Sequence, residues 1–169
     1  MGTAAANTIS PGTGEVTITS GGTYTVQGGT YQPSKSGVIT IDTTEKVTLE
    51  IAGKISMPGY DKGYFISIEN ACKELTIINK YTVNVDNNIF LINKNKDATV
   101  TFEGGTYEAL TNDGVPIIVN GGVVNLKNVK FNATGSVYYG RIVQNYWSDL
   151  EGTINIQDGT ILDNRGAKE

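Results

Sequence analysis

The chain has 169 residues, 38 % of them hydrophobic and 18 % charged, with 21 glycines, one cysteine, no histidine and a formal net charge of −4. That length suits one domain with a core of its own. The missing histidine excludes a Ser-His-Asp or Cys-His nucleophile pair, an imidazole metal site and an imidazole switch, and Lys and Arg fall singly, without the basic stripe that would neutralise nucleic acid or anionic lipid.

Residues 1–13 read as a lead-in, with neither the basic nor the apolar segment of a signal peptide. No apolar run anywhere nears the roughly 20 residues that span a bilayer, so no membrane insertion is expected. The lone Cys72 can form no internal disulfide and reads as a small buried hydrophobe.

From residue 14 the chain repeats. Gly-Gly-Thr-Tyr occurs at 21–24, 28–31 and 104–107. After a weaker copy at Val16-Thr17-Ile18, five short apolar segments close on Asp42, Glu69, Asn93, Asn120 and Asn145, at spacings of 27, 24, 27 and 25 residues. Each is followed by a second alternating segment (47–51, 75–77, 98–102, 124–126, 154–156) and then a third (54–57, 81–85, 106–109, 129–133, 160–163). Period-2 alternation, β-branched residues and Gly, Asn and Asp punctuation predict strands, and no stretch of helical length has a 3.6-residue apolar period.

Strands this short at this repeat length predict a solenoid, with each strand lying on its counterpart in the next coil. Six coils at about 4.8 Å make a rod of about 29 Å. The expected inward column of the first strands is Ile39/Ile41, Ile66/Ile68, Phe90/Ile92, Ile117/Val119 and Ile142, with Gln144 breaking it. The outward column is then Thr40, Ser67, Leu91, Ile118 and Val143. The second strands present Thr25, Thr48, Thr76, Thr101, Asn125 and Asn155 outward, which suits β-propensity and cross-strand hydrogen bonding. The closing column Asp42, Glu69, Asn93, Asn120, Asn145 reads as a ladder of stacked polar side chains.

Gly-Gly-Thr-Tyr-Thr-Val, Gly-Val-Ile-Thr-Ile-Asp and Lys-Val-Thr-Leu-Glu-Ile together resemble the right-handed parallel β-helix proteins, the pectate-lyase-like solenoids. More narrowly, they look like the opening coils of bacterial surface β-helix modules that are carbohydrate-binding or adhesin-like. The resemblance implies an all-β, right-handed parallel β-helix of about six three-strand coils over residues 14–164, with 165–169 as a tail. It also implies a protein of the cell surface or extracellular space, or, as the alternative, of a virion.

Such a scaffold hosts several functions. An enzyme of this kind, a lyase or glycosidase, needs clustered carboxylates on the outward face of the first strands, and none stands there, so a non-enzyme is expected. Asp42 and Glu69 on adjacent coils could hold calcium at the strand edge, though two acids are too few for a hard cation; no other cofactor is expected. Tyr60 and Tyr64 in one long turn, Tyr138, Tyr139 and Arg141 in another, and Tyr146 and Trp147 in a third suit stacking on sugar rings, with a polysaccharide or host glycan as partner. The other reading is a structural or attachment subunit of a stalk or phage particle, which meets a second copy through an apolar stripe of Leu91, Ile118 and Val143. Neither terminus resembles a capping helix, so further copies or flanking coils of a longer chain would cover the ends of the rod.

Overall fold

The computed structural model of the protein describes residues 7–58, 63–109, 115–133, 142–145 and 151–163. A short β1 (Thr8–Ile9) leads into a three-strand unit of β2 (Val16–Ile18), β3 (Gly22–Val26) and β4 (Gly29–Thr30). The unit recurs as β5 (Ile39–Ile41), β6 (Val47–Ile51) and β7 (Ile55–Ser56), then as β8 (Tyr64–Ile68), β9 (Glu74–Asn79) and β10 (Thr82–Asn84). Next come β11 (Ile89–Asn93), β12 (Thr99–Glu103) and β13 (Thr106–Glu108), followed by β14 (Ile118–Asn120), β15 (Val123–Lys127) and β16 (Lys130–Asn132). The last described unit is β17 (Val143–Asn145), β18 (Thr153–Ile156) and β19 (Ile161–Asp163).

Every strand pairs in parallel with its counterpart one unit away, which makes the protein a parallel β-solenoid of three-strand coils. The first sheet runs β2-β5-β8-β11-β14-β17, the second β1-β3-β6-β9-β12-β15-β18 and the third β4-β7-β10-β13-β16-β19. The first copies of Gly-Gly-Thr-Tyr fall at β3 and β4, and the third copy opens β13.

One boundary moves. Residues 1–13 are expected to precede the solenoid, yet Thr8 and Ile9 pair with Thr25 and Val26 as an edge strand of the second sheet. The cause is apolar burial at the end of the rod: Ile9 is 3 % exposed, and its carbonyl accepts the Tyr31 hydroxyl at 3.2 Å.

The core is built of columns. In the second sheet, Val47, Leu75, Val100 and Val124 stack in register, as do Tyr24, Leu49, Ile77, Phe102 and Leu126. Rings form a chain along the same interior: Tyr31, Phe65, Phe90, Tyr107 and Phe131 follow one another at centroid distances of 5.0, 5.5, 4.8 and 5.3 Å. Each side chain of this size, fully buried, contributes about 1.5–3 kcal/mol.

The first sheet departs from the expected register by one residue. Ile39, Ile66, Leu91, Ile118 and Val143 align, and Ile41, Ile68, Asn93, Asn120 and Asn145 align. Leu91 and Ile118 are therefore interior residues with 0 % exposure, and Val143 is half-buried in their column. The proposed outward stripe of Leu91, Ile118 and Val143 does not exist. Strict alternation fails at the strand entrance, where Phe65 and Ile66, Phe90 and Leu91, and Ile117 and Ile118 all belong to the main core as consecutive pairs. The ladder records the irregularity, since the Ile117 carbonyl accepts from both Phe90 N at 2.9 Å and Leu91 N at 3.3 Å.

The same shift puts asparagine inside. Asn93 and Asn120, both fully buried, occupy the column that Ile41 and Ile68 hold earlier in the rod. Asn93 Nδ2 donates to Asn120 Oδ1 at 3.1 Å, while Asn93 Oδ1 accepts from Asn95 N and Asn120 Oδ1 from Gly122 N, each at 3.0 Å. Asn120 Nδ2 also reaches the carbonyls of Gly122 at 2.9 Å and Thr153 at 3.1 Å. These amides satisfy turn groups that would otherwise be buried without partners. Gly122 is needed here because a Cβ would lie 2.7 Å from Asn93 Nδ2 and 2.6 Å from the Ala98 carbonyl oxygen.

Two buried polar groups predict opposite responses. Asn120→Ala orphans the Gly122 amide and should cost about 1–3 kcal/mol in urea unfolding; an unchanged midpoint would remove the ladder from the list of stabilising features. The Tyr107 hydroxyl is fully buried beside the Asn79 side chain and makes no hydrogen bond of normal geometry, so Tyr107→Phe keeps the ring contacts and should unfold at the same or a higher midpoint.

Candidate functional site

The sequence-predicted sugar site divides. Tyr60, Tyr138, Tyr139, Arg141, Tyr146 and Trp147 lie outside the described residues. Tyr64 is described, and it is not a loop ring. It opens β8, its amide donates to the Ser34 carbonyl at 2.8 Å, and its half-buried side chain packs on a small apolar cluster of Ile89, Ile92, Val115 and Val119. Ile92 and Val119 share the outward column of Thr40 and Ser67, so this cluster lies on the opposite side of the first sheet from the main core.

At the strand edge, Asp42 and Glu69 do follow the paired Ile41 and Ile68 on adjacent coils, but the next member of that column is Lys94 and not Asn93. Lys94 Nζ lies 2.9 Å from Glu69 Oε1, and Ser67 Oγ donates to the same oxygen at 3.0 Å. A cation thus occupies the carboxylate proposed as a calcium ligand. Among the described residues no group of three or more His, Cys, Asp or Glu side chains is arranged to hold a metal ion. Burial pushes the Glu69 carboxyl up, and the Lys94 and Ser67 hydrogen bonds with the Lys94 charge outweigh it, leaving the group below its usual 4.5. Its stabilising contribution is present above the unfolded value and lost as pH falls through the folded one. In melting curves taken from neutral to acid pH, Glu69→Gln should flatten part of the decline below about 4.5; parallel declines in the two proteins would contradict this.

Cys72 is buried, and its thiol is pushed up to about 11 by burial, against an opposing hydrogen bond from the Glu74 backbone and the charge of Lys73. Such a thiol is inert in the folded protein.

A groove that the sequence analysis did not identify runs along the corner between the second and third sheets. Its floor is the second outward column of the second sheet, Thr25, Glu50, Ile78, Glu103 and Lys127 in register. Thr25 belongs to this column. Thr23, not Thr25, lines up with Thr48, Thr76, Thr101 and Asn125. Two clefts, of about 270 and 420 Å³, share Ile78 and Lys80. The first is flanked by Glu50, Ala52 and Tyr81, and the second by Asn79, Glu103, Gly104, Gly105, Lys127 and Asn128.

Local sequence explains the shape. Three residues lie between Ile51 and Ile55, between Asn79 and Val83, and between Ile78 and Thr82, whereas only two lie between their partners Glu103 and Thr106, so the corner shortens by one residue after Tyr81. The shorter turn uses Gly104 and Gly105 at φ of 75° and 82°, and a Cβ on Gly105 would collide with the Asn79 side chain. Tyr81 stands at this step with 42 % exposure and is the only aromatic among the large hydrophobics exposed in the described residues. The sequence analysis assigned it to the start of the third strand. The signal for its role is a lone aromatic in a corner that glycine occupies on the coils before and after, at Gly53 and at Gly104–Gly105.

The groove offers one ring face, two carboxylates and two ammonium groups, with Lys127 Nζ 3.9 Å from Glu103 Oε1. Glu50 and Glu103 are separated by the Ile78 strand, so their backbones stand two strand spacings apart, about 9.6 Å.

Fold and groove together define a parallel β-solenoid with a longitudinal polar trough. Comparison with protein-family models, with curated proteins and with solved structures finds no match.

Proposed function

We propose that this protein is a non-catalytic carbohydrate-binding module of the cell surface or extracellular space, with a polysaccharide or host glycan as its ligand. The observation that carries this reading is the exposed Tyr81 ring set in an open groove between carboxylates and ammonium groups. A tyrosine face stacks on the apolar side of a pyranose, and charged groups beside it exchange hydrogen bonds with hydroxyls.

The test is retention on an array of neutral and acidic polysaccharides, with product release followed in parallel. The expected result is retention without product, lost in Tyr81→Ala and kept in Tyr81→Trp, with the β-rich circular dichroism unchanged in both. Retention indifferent to Tyr81→Ala would move the site away from this groove, and release of reducing ends or unsaturated uronates would make the protein an enzyme.

A second reading, an assembling structural subunit, is favoured by the last described coil. There Ile156 and Leu162 are 57 % and 44 % exposed, although their in-register partners Leu126 and Phe131 are fully buried, and Ile161 beside them is 53 % exposed. Light scattering separates the two: a stable oligomer that Leu162→Glu dissociates supports assembly, and a monomer at all concentrations opposes it.

A further inference from the structure

We propose that the groove takes an extended, uncharged glycan lying parallel to the rod axis and gripped at Tyr81, in preference to a single sugar or a polyanion. This inference rests on the carbohydrate-binding reading and adds to it the class of ligand and its direction.

The direction comes from the floor. The two clefts adjoin at Ile78 and Lys80, which line both, and the column from Thr25 to Lys127 crosses five strands. Four strand spacings span about 19 Å along the axis. A monosaccharide seated at Tyr81 would leave most of that length unoccupied. An extended oligomer places a new ring over each successive coil.

The class comes from the charge. Glu50 and Glu103 balance Lys80 and Lys127, and the Glu103–Lys127 pair is already formed at 3.9 Å. A polyanion entering the trough meets two carboxylates and must separate that pair; a polycation meets two ammonium groups. Sugar hydroxyls donate to carboxylates and accept from ammonium groups in the same row, so a neutral chain satisfies both without displacing either. Rejection of charge then comes from the carboxylates and lysines that the wrong ligand would leave facing their own sign.

The position comes from the corner. Tyr81 stands where the turn loses a residue, and the adjacent turn is glycine at 104 and 105, where the Asn79 side chain leaves no space for a Cβ. The ring is therefore not walled off by a bulky side chain from the next coil, and a chain can pass it along the axis.

The experiment is titration calorimetry of the whole protein with neutral oligosaccharides cut from whichever glucan, mannan, xylan or galactan is retained, from disaccharide to hexasaccharide. Oligogalacturonides of matched length are run beside them, at low and high salt. Affinity should rise at least about tenfold over the neutral series and be insensitive to salt, and Tyr81→Ala should lose about tenfold or more. Oligogalacturonides should bind at least about tenfold more weakly at each length. If acidic oligomers bind as well or better, with affinity falling in salt, the protein is still a carbohydrate binder and the uncharged-ligand inference is overturned. If a disaccharide binds as tightly as a hexasaccharide, the axial trough is overturned. If neither neutral nor acidic polymers are retained at all, the carbohydrate-binding reading itself fails.

Discussion

No coil of this chain has a core of its own. Three strands of two to six residues, bent into one turn, present their amides and carbonyls along the axis and their apolar side chains to an empty centre. Only the coil above and the coil below supply hydrogen-bond partners and close the centre. Parallel, in-register stacking is therefore the constraint on which the rest depends. It sets which side chains meet, because each residue touches its own equivalent one repeat away, and so the rod is a bundle of columns: isoleucine on isoleucine, ring beside ring, asparagine on asparagine.

The columns also explain how the interior changes along the rod. Early coils end their first strand on Ile18, Ile41 and Ile68, which simply fill space. In later coils Asn93 and Asn120 take the same column, and their amides bond each other and the turn that follows. A buried amide is tolerated because the stack provides the next amide at hydrogen-bonding distance; a lone asparagine in that place would carry an unpaid desolvation cost. The change of column lets glycine approach closely at Gly122 and moves Leu91 and Ile118 into the core, so that neither contributes to an exposed apolar stripe.

Surface chemistry follows from the same stacking. Outward columns bring together residues about one repeat apart in the chain, and the Glu50, Ile78, Glu103, Lys127 row places three charged side chains and one apolar one along a face that is exposed or half-buried. The corner beside it varies in length from coil to coil, and where it shortens, Tyr81 is left prominent. A one-residue difference between two turns thus produces the most distinctive feature of the described surface.

The sequence by itself determined the all-β class, the three strands per repeat, the parallel solenoid and nearly every strand position, because period-2 alternation and a recurring length of chain are local properties that any reader of the residues can count. It also marked Asn93 and Asn120 as members of a ladder, though not that Asp42 and Glu69 fall outside it, and Cys72 as a small buried hydrophobe. Only the tertiary structure decided the register of the first sheet, since Phe90 and Leu91 are both apolar and alternation cannot say which of them opens the inward column. It likewise decided that Lys94 stands next to Glu69, that Ile9 belongs to the rod and that Tyr81 lies in a groove. Each of these depends on which coil's residue lies beside which, and a slip of one residue in strand stacking reverses the side on which every side chain falls.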